Sequence, residues 1–390
     1  MATDFAYRAG RYVQQPSGYQ AFIPNVLPPE PQIEMDDEMW TLLSQADRAL
    51  GRLDGAMEIL PDPDLFLFMY LRKEAVLSSQ IEGTEASLLD VLKFEAEALE
   101  PDAPKDVGEV VNYVAAINYG LARLQELPLS LRLIREIHAQ LLSGVRGEDR
   151  SPGEFRTSQN WIGPRGCSLA TARYVPPPPH EMQQALGNLE RFLYESVPMP
   201  LLLKVGMVHA QFETIHPFLD GNGRVGRLLI TFLLCQNGAL NKPLLYLSYY
   251  FRQNRTEYYD RLQAVRDRGD WEGWLKFFLR GVRDVSREAT ATGRRVVGLR
   301  EEHRALVARG MGRGAATALA FLERLYARPI VSASWVAEST GISVARAHAI
   351  VKDFCGLGIL EEITGHRRNR RFAYNAYLAQ FDDPELPASK

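Results

Sequence analysis

The sequence predicts a mainly α-helical protein with one β-hairpin near its middle and a small α/β unit at its end. Apolar residues recur at spacings of three and four through most of the 390 residues, which is the period of an amphipathic helix. Residues 150–179 lose this period and carry turn-forming glycine and proline instead. Short runs typical of strands appear again after residue 358. A chain of this length has room for two or three domains.

Composition and charge exclude several classes of protein. Apolar residues make up 46% and charged residues 24% of the chain, the balance of a folded rather than a disordered protein. The formal net charge of -3 excludes a general attraction to nucleic acid, although a local patch could still provide one. The separated cysteines Cys167, Cys235 and Cys355 argue against structural zinc and disulfides, so a reducing compartment is expected. No signal peptide or bilayer-spanning apolar run is apparent, which predicts a cytoplasmic protein without membrane contact.

The N-terminal part is predicted to be an extended arm followed by helices. Residues 1–35 are rich in proline, glycine and aromatic side chains, as expected of a segment that lies on a core. From Asp37 the chain is expected to be helical, with Trp40, Leu43 and Ala46 or Leu50 on its apolar face. A second helix is expected to begin near Asp64, as N-cap, and to end at Gly83. Further helices are expected at 87–97, 106–125, 130–143, 180–196, 201–215, 222–237, 249–268 and 270–310.

The segment 150–179 is predicted to be a β-hairpin that projects from the helical body. It contains Gly-Pro and Arg-Gly turn signals between two short β-tolerant runs, and four consecutive prolines close it. The two strands are expected near residues 160–162 and 173–175.

The C-terminal part is predicted to be a separate small unit. The charged helix before it suits a connector between domains. Helices are expected at 317–328, 333–339 and 344–357, and strands at 359–364 and 370–375. The expected division of the chain is an N-terminal helical region (1–110), a core (111–285), a helical linker (286–312) and a terminal domain (313–390).

One loop between two strongly apolar helices has the composition of an anion-binding nest. It covers residues 216–227 and reads HPFLDGNGRVGR. Pro217 should end the incoming helix near Ile215, because the residue before a proline is disfavoured in a helix. Gly221 and Gly223 allow the backbone N–H groups to converge at the start of the next helix, where phosphates bind well.

Charged side chains on this loop favour phosphate chemistry. Arg224 and Arg227 lie three residues apart, so both guanidinium groups are expected to reach one phosphate chain. Asp220 is placed to hold a Mg²⁺ ion that bridges phosphate oxygens. His216 can accept a proton from an attacking hydroxyl group, and Phe218 is expected to anchor the loop in the core. Each feature alone also fits a plain turn, but their combination within twelve residues favours a catalytic site.

The loop matches the Fic family motif HPFx[D/E]GNGRxxR at each defined position, so the chain resembles a Fic protein with a helical catalytic core and a hairpin flap. The resemblance implies an enzyme that transfers AMP from ATP to a Ser, Thr or Tyr hydroxyl group of a target protein and releases pyrophosphate. His216 would then deprotonate the hydroxyl group, and Asp220 would bind Mg²⁺. The phosphates would be held by Gly221, Asn222, Gly223, Arg224 and Arg227, with Arg227 at the γ-phosphate.

The resemblance also separates two reaction types. Fic-like kinases of the Doc type carry lysine at the position of Gly223, and lysine there reverses how the nucleotide lies. Glycine leaves room for the β-phosphate, so the α-phosphorus faces the nucleophile and AMP is transferred. In the hairpin, Trp161, Ile162 and Gly163 would bind the target backbone as an added strand.

The tyrosine-rich segment after the motif helix has two interpretations. Tyrosines at helical spacing there can be ordinary core and surface residues. The resemblance instead places Asn254, Tyr258 or Tyr259 against the adenine or ribose.

A glutamate at the end of the second helix also has more than one interpretation. Ser78, Glu82 and Gly83 by themselves describe a helix with a surface glutamate and a glycine cap. They also match the inhibitory pattern [S/T]xxxE[G/N] of the Fic family, in which the glutamate would pair with Arg227 and occupy the place of the γ-phosphate. The same glutamate could instead orient a water that removes AMP from a modified target.

The terminal domain resembles a winged helix-turn-helix, with 344–357 as recognition helix and the basic turn 366–371 as wing. Its arginines could contact DNA phosphates, although such units also bind proteins or dimerise. Two functions are therefore carried forward: a self-modifying, autoinhibited adenylyltransferase, and a DNA-binding regulator that uses the nucleotide site as a sensor. A homodimer stays open in both.

Overall fold

The computed structural model describes residues 7–58, 63–98, 103–164 and 166–382. The first elements are β1 (Gly10–Gln14), β2 (Gln20–Pro24), α1 (Asp37–Glu58), α2 (Pro63–Ile81), α3 (Leu88–Glu95), α4 (Val107–Arg123) and α5 (Leu131–Leu141). The site is framed by α6 (Pro179–Tyr194), α7 (Leu201–Ile215), α8 (Asn222–Gln236), α9 (Ser248–Gln253), α10 (Arg255–Arg268) and α11 (Trp271–Gly310). The last elements are α12 (Ala315–Ala327), β3 (Ile330–Val331), α13 (Ala333–Thr340), α14 (Val344–Gly356), β4 (Glu361–Glu362), β5 (Phe372–Ala373) and α15 (Asn375–Leu378). The prediction of a mainly helical protein is confirmed.

The N-terminal arm contains a second hairpin that the sequence analysis missed. β1 and β2 pair antiparallel around a turn in which Gly18 has a φ of 87°. Phe22 is fully buried, and its N–H donates to the Val175 carbonyl at 2.9 Å. The arm therefore lies on the core, as predicted, and also borders the end of the flap segment.

α7 and α8 form the centre of the molecule. Nearly every side chain of both helices is buried, the pattern of a helix enclosed on all sides. Two glycines allow neighbouring helices to approach closely: a Cβ on Gly206 would lie 2.9 Å from Leu275 of α11, and one on Gly120 would lie 2.3 Å from Phe232 of α8. The loop 216–227 joins the ends of these two enclosed helices, so it has a rigid base.

α1 packs along α11 with most of the predicted face, but Trp40 was placed wrongly. Trp40 is 54% exposed, whereas Met39, Leu43 and Leu50 are buried. Spacings of three and four are satisfied by either set, and the contact with α11 selects the one that starts at Met39. α2 begins within a residue of the expected position, and the expected N-cap side chain of Asp64 lies outside the described side chains.

Two other expectations change in detail. The flap segment has a single antiparallel bridge between Ile162 and Tyr174, with N–H···O distances of 2.8 and 3.0 Å in the two directions, instead of two strands. The expected helix 249–268 is divided into α9 and α10 at Asn254, whose φ of -110° and ψ of 38° leave the helical region. The predicted helix 270–310 is present as α11, which continues unbroken past residue 285.

The terminal unit packs against α2 and against the segment at the end of α3. β3, β5 and β4 form a three-stranded antiparallel sheet, and β3 was not predicted. The Arg371 guanidinium donates to the carbonyl oxygens of Ala96 and Glu97 at 2.8 and 3.3 Å. Phe381 packs edge-on against Tyr70 of α2. In the described part of the chain, no helix combines the length and the apolar character needed to cross a membrane.

Candidate active site

The loop begins with a strained turn at His216. This residue ends α7 with φ 50° and ψ 61°, a left-handed conformation that costs energy for a residue with a side chain. The turn is held by its carbonyl oxygen, which accepts from Arg156 Nε at 3.0 Å and Asn160 Nδ2 at 3.3 Å. Asn160 also donates to the Phe218 carbonyl at 2.9 Å. The backbone on both sides of Pro217 is thus held by residues of the flap segment.

Asn222 closes the loop on itself. Its Oδ1 accepts the Phe218 N–H and its Nδ2 donates to the Phe218 carbonyl, both at 2.8 Å. The Asn222 side chain is therefore committed to the backbone, and only its N–H can face a phosphate. Phe218 is fully buried and lies in the core, as predicted.

The loop is also held by His138, which the sequence analysis missed. Its ring stacks on Phe218 at 3.7 Å, and its Nε2 lies 3.0 Å from the Asp220 carbonyl oxygen. The Gly153 N–H donates to its Nδ1 at 2.8 Å, so Nε2 carries the proton and donates to Asp220. Burial lowers the pKa of His138 to about 4, which keeps the ring neutral in this role.

The nest at the start of α8 is filled by Glu82. Gly221 has a φ of 78°, and the first N–H groups of the helix have no partner within the helix. A Cβ on Gly223 would lie 2.1 Å from Glu82 Oε1 and 3.0 Å from Arg227 Nη1. Glycine at this position is therefore required by the carboxylate that occupies the space.

Ser78 and Glu82 converge on Arg227. The guanidinium donates to Ser78 Oγ at 2.7 Å, to the Ser78 carbonyl at 2.9 Å and to Glu82 Oε1 at 2.8 Å. Burial opposes ionisation of Glu82, yet the guanidinium outweighs it and holds the pKa of the carboxyl below its usual value. The pKa of Arg227 is raised by Glu82 against its own burial. Gly83 has a φ of 95°, which suits the residue that ends α2.

Arg224 lies in a different ion-pair network from Arg227. Its side chain is 1% exposed and pairs with Glu109 at 3.2 Å and with Asp220 Oδ1 at 3.5 Å. Glu109 also pairs with Arg146 at 3.2 Å. In this conformation the guanidinium groups of both arginines are engaged by other residues of the protein.

Asp220 has the character of a ligand for a hard cation. Its carboxylate is 38% exposed, and the Gly221 N–H donates to Oδ1 at 2.6 Å. No group of three or more His, Cys, Asp or Glu side chains able to hold a metal occurs in the described residues. A single carboxylate of this kind fits Mg²⁺ that takes its other ligands from water and substrate phosphates.

The loop opens into a cavity of about 510 Å³ that is walled by the flap and α10. Tyr258 is 1% exposed, and its hydroxyl group hydrogen-bonds His209 at 2.9 Å. Asn254 is not part of the wall, because its Nδ2 donates to the Tyr250 carbonyl at 3.0 Å. The wall includes the predicted residues Trp161, Ile162, Gly163, His216, Gly223, Arg227, Tyr258, Tyr259 and Glu82, and the unpredicted Glu213, Arg255 and Arg266.

The imidazole of His216 is neutral at neutral pH. Burial, together with the positive charges of Arg266 and Arg156, lowers its pKa to about 3, so the imidazole is neutral. Its Nδ1 is buried and lies 4.0 Å from Glu213 Oε2. Glu213 itself was missed, although a glutamate in a helix whose side chains are nearly all buried is a visible signal.

These features define a helical protein in which an anion-binding helix N-terminus lies beside a neutral histidine. Residues 40–122 match the N-terminal region of the Fic/DOC family, and residues 128–234 match the Fic/DOC family itself. These matches identify a Fic N-terminal region and a Fic domain within the chain.

Relatives and solved structures agree with this assignment. The chain is 29% identical to a probable protein adenylyltransferase of Aquifex aeolicus over 52% of its own length and 57% of the relative's. It is 30% identical to protein adenylyltransferase Fic of Aedes aegypti, over 50% of its length and 37% of the relative's. The matched part thus spans about half or less of these relatives. A Fic family protein from Desulfovibrio desulfuricans has the same fold, with a TM-score of 0.58 and 20% identity over 88% of this chain and 97% of that one.

Proposed function

We propose that this protein is an adenylyltransferase that transfers AMP from ATP to a Ser, Thr or Tyr hydroxyl group of a target protein. The observation that carries the proposal is the neutral His216 at the rim of a glycine-lined helix N-terminus, within one cavity with Arg227. The relatives named above as adenylyltransferases support it.

The residues of the loop divide the reaction between them. The target hydroxyl oxygen attacks the α-phosphorus, the bond from that phosphorus to the bridging oxygen of the β-phosphate breaks, and pyrophosphate leaves. His216 accepts the hydroxyl proton at Nε2. The N–H groups of Gly221, Asn222 and Gly223 and the guanidinium groups of Arg224 and Arg227 hold the phosphates, so positioning and charge supply most of the catalysis.

Asp220 would hold Mg²⁺ with the phosphates of ATP. When bound, the ion neutralises phosphate charge as it develops. Displacing Arg224 from Asp220 Oδ1 would free this carboxylate for the cation and the guanidinium for the phosphate chain.

The flap would hold the target near the α-phosphorus. Ile162 and Gly163 line the cavity, and among the described residues their backbone exchanges hydrogen bonds only with Tyr174, so a target backbone can add there as a strand. Trp161 is 43% exposed beside it and offers an apolar contact. Tyr259 is the best-placed of the predicted adenine contacts, because it lines the cavity while Tyr258 is buried and bonded.

Glu82 would act as the inhibitor. It engages the arginine proposed for the γ-phosphate and fills the space beside Gly223, so ATP must displace it to bind productively. In the alternative role, Glu82 orients a water that removes AMP from a modified target. That role requires the same position of the carboxylate and stays a second proposal.

Transfer is tested with α-labelled ATP, Mg²⁺ and a cell lysate. Label is expected on a target protein and on the enzyme itself with α-labelled ATP but not with γ-labelled ATP. Label from γ-labelled ATP would instead mean phosphate transfer and would overturn the role given to Gly223.

The terminal unit supports a second candidate function, binding of DNA. Its order of helix, strand, two helices and two strands fits the proposed winged helix-turn-helix. A groove of about 800 Å³ between α14 and the basic turn is lined by His348, Lys352, Arg367, Arg368 and Arg370. Phosphate contacts there would make binding of duplex DNA by the full chain fall steeply with salt, which a gel shift measures. The division of the chain into domains, a homodimer and self-modification by the adenylyltransferase also stay proposals.

A further inference from the structure

We propose that Glu213 is a positioning residue for His216. Its carboxylate accepts the Nδ1 proton of the imidazole and stabilises the imidazolium that forms when Nε2 takes the proton of the target. The inference rests on the proposed AMP transfer and concerns a residue outside the loop 216–227.

The two side chains face each other with unused polar atoms. Glu213 lies in the last turn of α7, three residues before His216, and both line the cavity. Glu213 Oε2 lies 4.0 Å from His216 Nδ1. His216 Nδ1 and Glu213 Oε1 are both buried, and neither has a partner with full hydrogen-bond geometry among the described residues. A small side-chain rotation joins them, and catalytic hydrogen bonds are often long before substrate binds.

The motif helix leaves room for this carboxylate. A Cβ on Gly226 of α8 would lie 2.4 Å from Glu213 Oε1, so any other residue at 226 would displace the side chain. Burying a carboxyl without a partner is unfavourable compared with an apolar side chain of the same size. A role in the reaction accounts for a glutamate at this position, whereas packing alone does not.

The Glu213 backbone adds to the same interaction. Its carbonyl oxygen also faces the imidazole and raises the His216 pKa as a hydrogen-bond acceptor. Carbonyl and carboxylate therefore favour the same tautomer, with the proton on Nδ1 and Nε2 free. What the carboxylate contributes beyond the carbonyl is its negative charge.

The surroundings set the pH range in which that charge is present. Burial, with Glu82 of α2, raises the pKa of Glu213 to about 7, although Arg227 of α8 and Arg266 of α10 oppose the shift. Arg156 places a further positive charge near His216. The Glu213 carboxylate also raises the pKa of Tyr258 of α10. Glu213 is thus ionised above about pH 7 and protonated below it.

The expected signature is a rate that rises with pH near neutrality. His216 cannot produce this rise, because its pKa of about 3 leaves it neutral throughout that range. Glu213→Gln keeps the size of the side chain and removes the charge. It should lower kcat by roughly tenfold or more, the effect of one pKa unit of imidazolium stabilisation, and leave KM for ATP unchanged.

The test compares initial rates of transfer from α-labelled ATP between about pH 5 and about pH 8, because loss of the Glu82 charge moves the pKa of Glu213 below its value of about 7. All proteins carry Glu82→Gly, which releases the proposed inhibitor. Added to it are Glu213→Gln or, as control, Glu74→Gln. Glu74 is also buried with a pKa raised to about 7, but it binds Ser248 and Tyr113 instead of the histidine.

We expect the Glu213→Gln protein to melt no earlier than its parent, to lose the rise with pH and to have a lower kcat. The Glu74→Gln protein should keep the rise. A folded Glu213→Gln protein with unchanged kcat and the same pH dependence would refute the inference, as would loss of activity that only follows a lower melting temperature. If the Glu82→Gly protein transfers no label at any pH, the proposed function itself is wrong.

Discussion

The loop 216–227 and the basic turn 366–371 are both rich in arginine, but their surroundings differ sharply. Arg224 and Arg227 are nearly inaccessible, and each guanidinium is held by named carboxylates or hydroxyl groups. Arg367 and Arg368 are exposed on the turn. A buried cation requires partners, so its position specifies a binding geometry, whereas an exposed one specifies only a charge.

The same contrast exists within the basic turn. The sequence groups Arg371 with the other arginines as a phosphate contact, but its guanidinium binds backbone carbonyls at the end of α3. It therefore fastens the terminal unit to the body of the protein, and it is not part of the DNA-binding proposal.

The largest expected effect lies in the loop. His216→Ala should reduce transfer of label from α-labelled ATP by about 10²- to 10⁴-fold, because a general base is removed. Binding of ATP should change little. A His216→Ala protein that transfers label as fast as its parent would show that another group accepts the proton.

Glu82→Gly should produce the next largest effect, in the opposite direction. The bond that it removes from Arg227 is charge-assisted and is worth about 1.5–3 kcal/mol. Affinity for ATP with Mg²⁺ should therefore rise by roughly 10- to 150-fold. Calorimetry on His216→Ala, with and without Glu82→Gly, measures this without turnover, and equal affinities would contradict the inhibitory role.

The next prediction compares the loss of stability when a buried asparagine at the start of α8 or an exposed one just after its end is replaced. Asn222→Ala leaves the buried Phe218 N–H without its partner, which should cost about 1–3 kcal/mol. Asn237→Ala, at the exposed end of the same helix, should cost less, since water replaces its bond to the Leu233 carbonyl. Denaturant unfolding of both variants checks the difference, and equal losses would contradict the closure of the loop by Asn222.

The smallest effect on transfer is expected in the terminal unit. Changing Arg367, Arg368 and Arg370 to Ala should leave the transfer rate unchanged, because these side chains lie outside the cavity. The same variant should lose salt-dependent DNA binding if that proposal is correct. Loss of transfer in the folded variant would show that the terminal unit completes the active site.

Local sequence patterns predicted most of the helices and the position of the loop 216–227 between two of them. The helices follow from apolar spacing, and Pro217 and the glycines mark where α7 ends and α8 begins. Trp40 was placed wrongly because its spacing fits the same helical period as Met39, and only the contact with α11 distinguishes the two. The hairpin β1–β2 was missed although its strands are close in sequence, and the bond from Phe22 to Val175 of the flap segment is a contact that no local pattern shows.

The supporting residues of the site were harder to predict. His138 and Arg156 come from segments 60 or more residues before the loop, and each acts by holding a backbone carbonyl. No sequence motif indicates such a contact, because any donor side chain of suitable length and position can make it. Glu213 could have been found, because a charged residue in an enclosed helix needs an explanation.

The central claim is that Glu82 and ATP compete for Arg227 beside a catalytic His216. It is tested most directly by initial rates of label transfer from α-labelled ATP for four proteins: the parent, Glu82→Gly, Arg227→Ala and the double variant. We predict that Glu82→Gly is faster than the parent, that Arg227→Ala is not, and that the double variant is no faster than Arg227→Ala, because Arg227 both holds the inhibitor and binds the γ-phosphate. A folded, ATP-binding Glu82→Gly protein no more active than the parent would contradict the account.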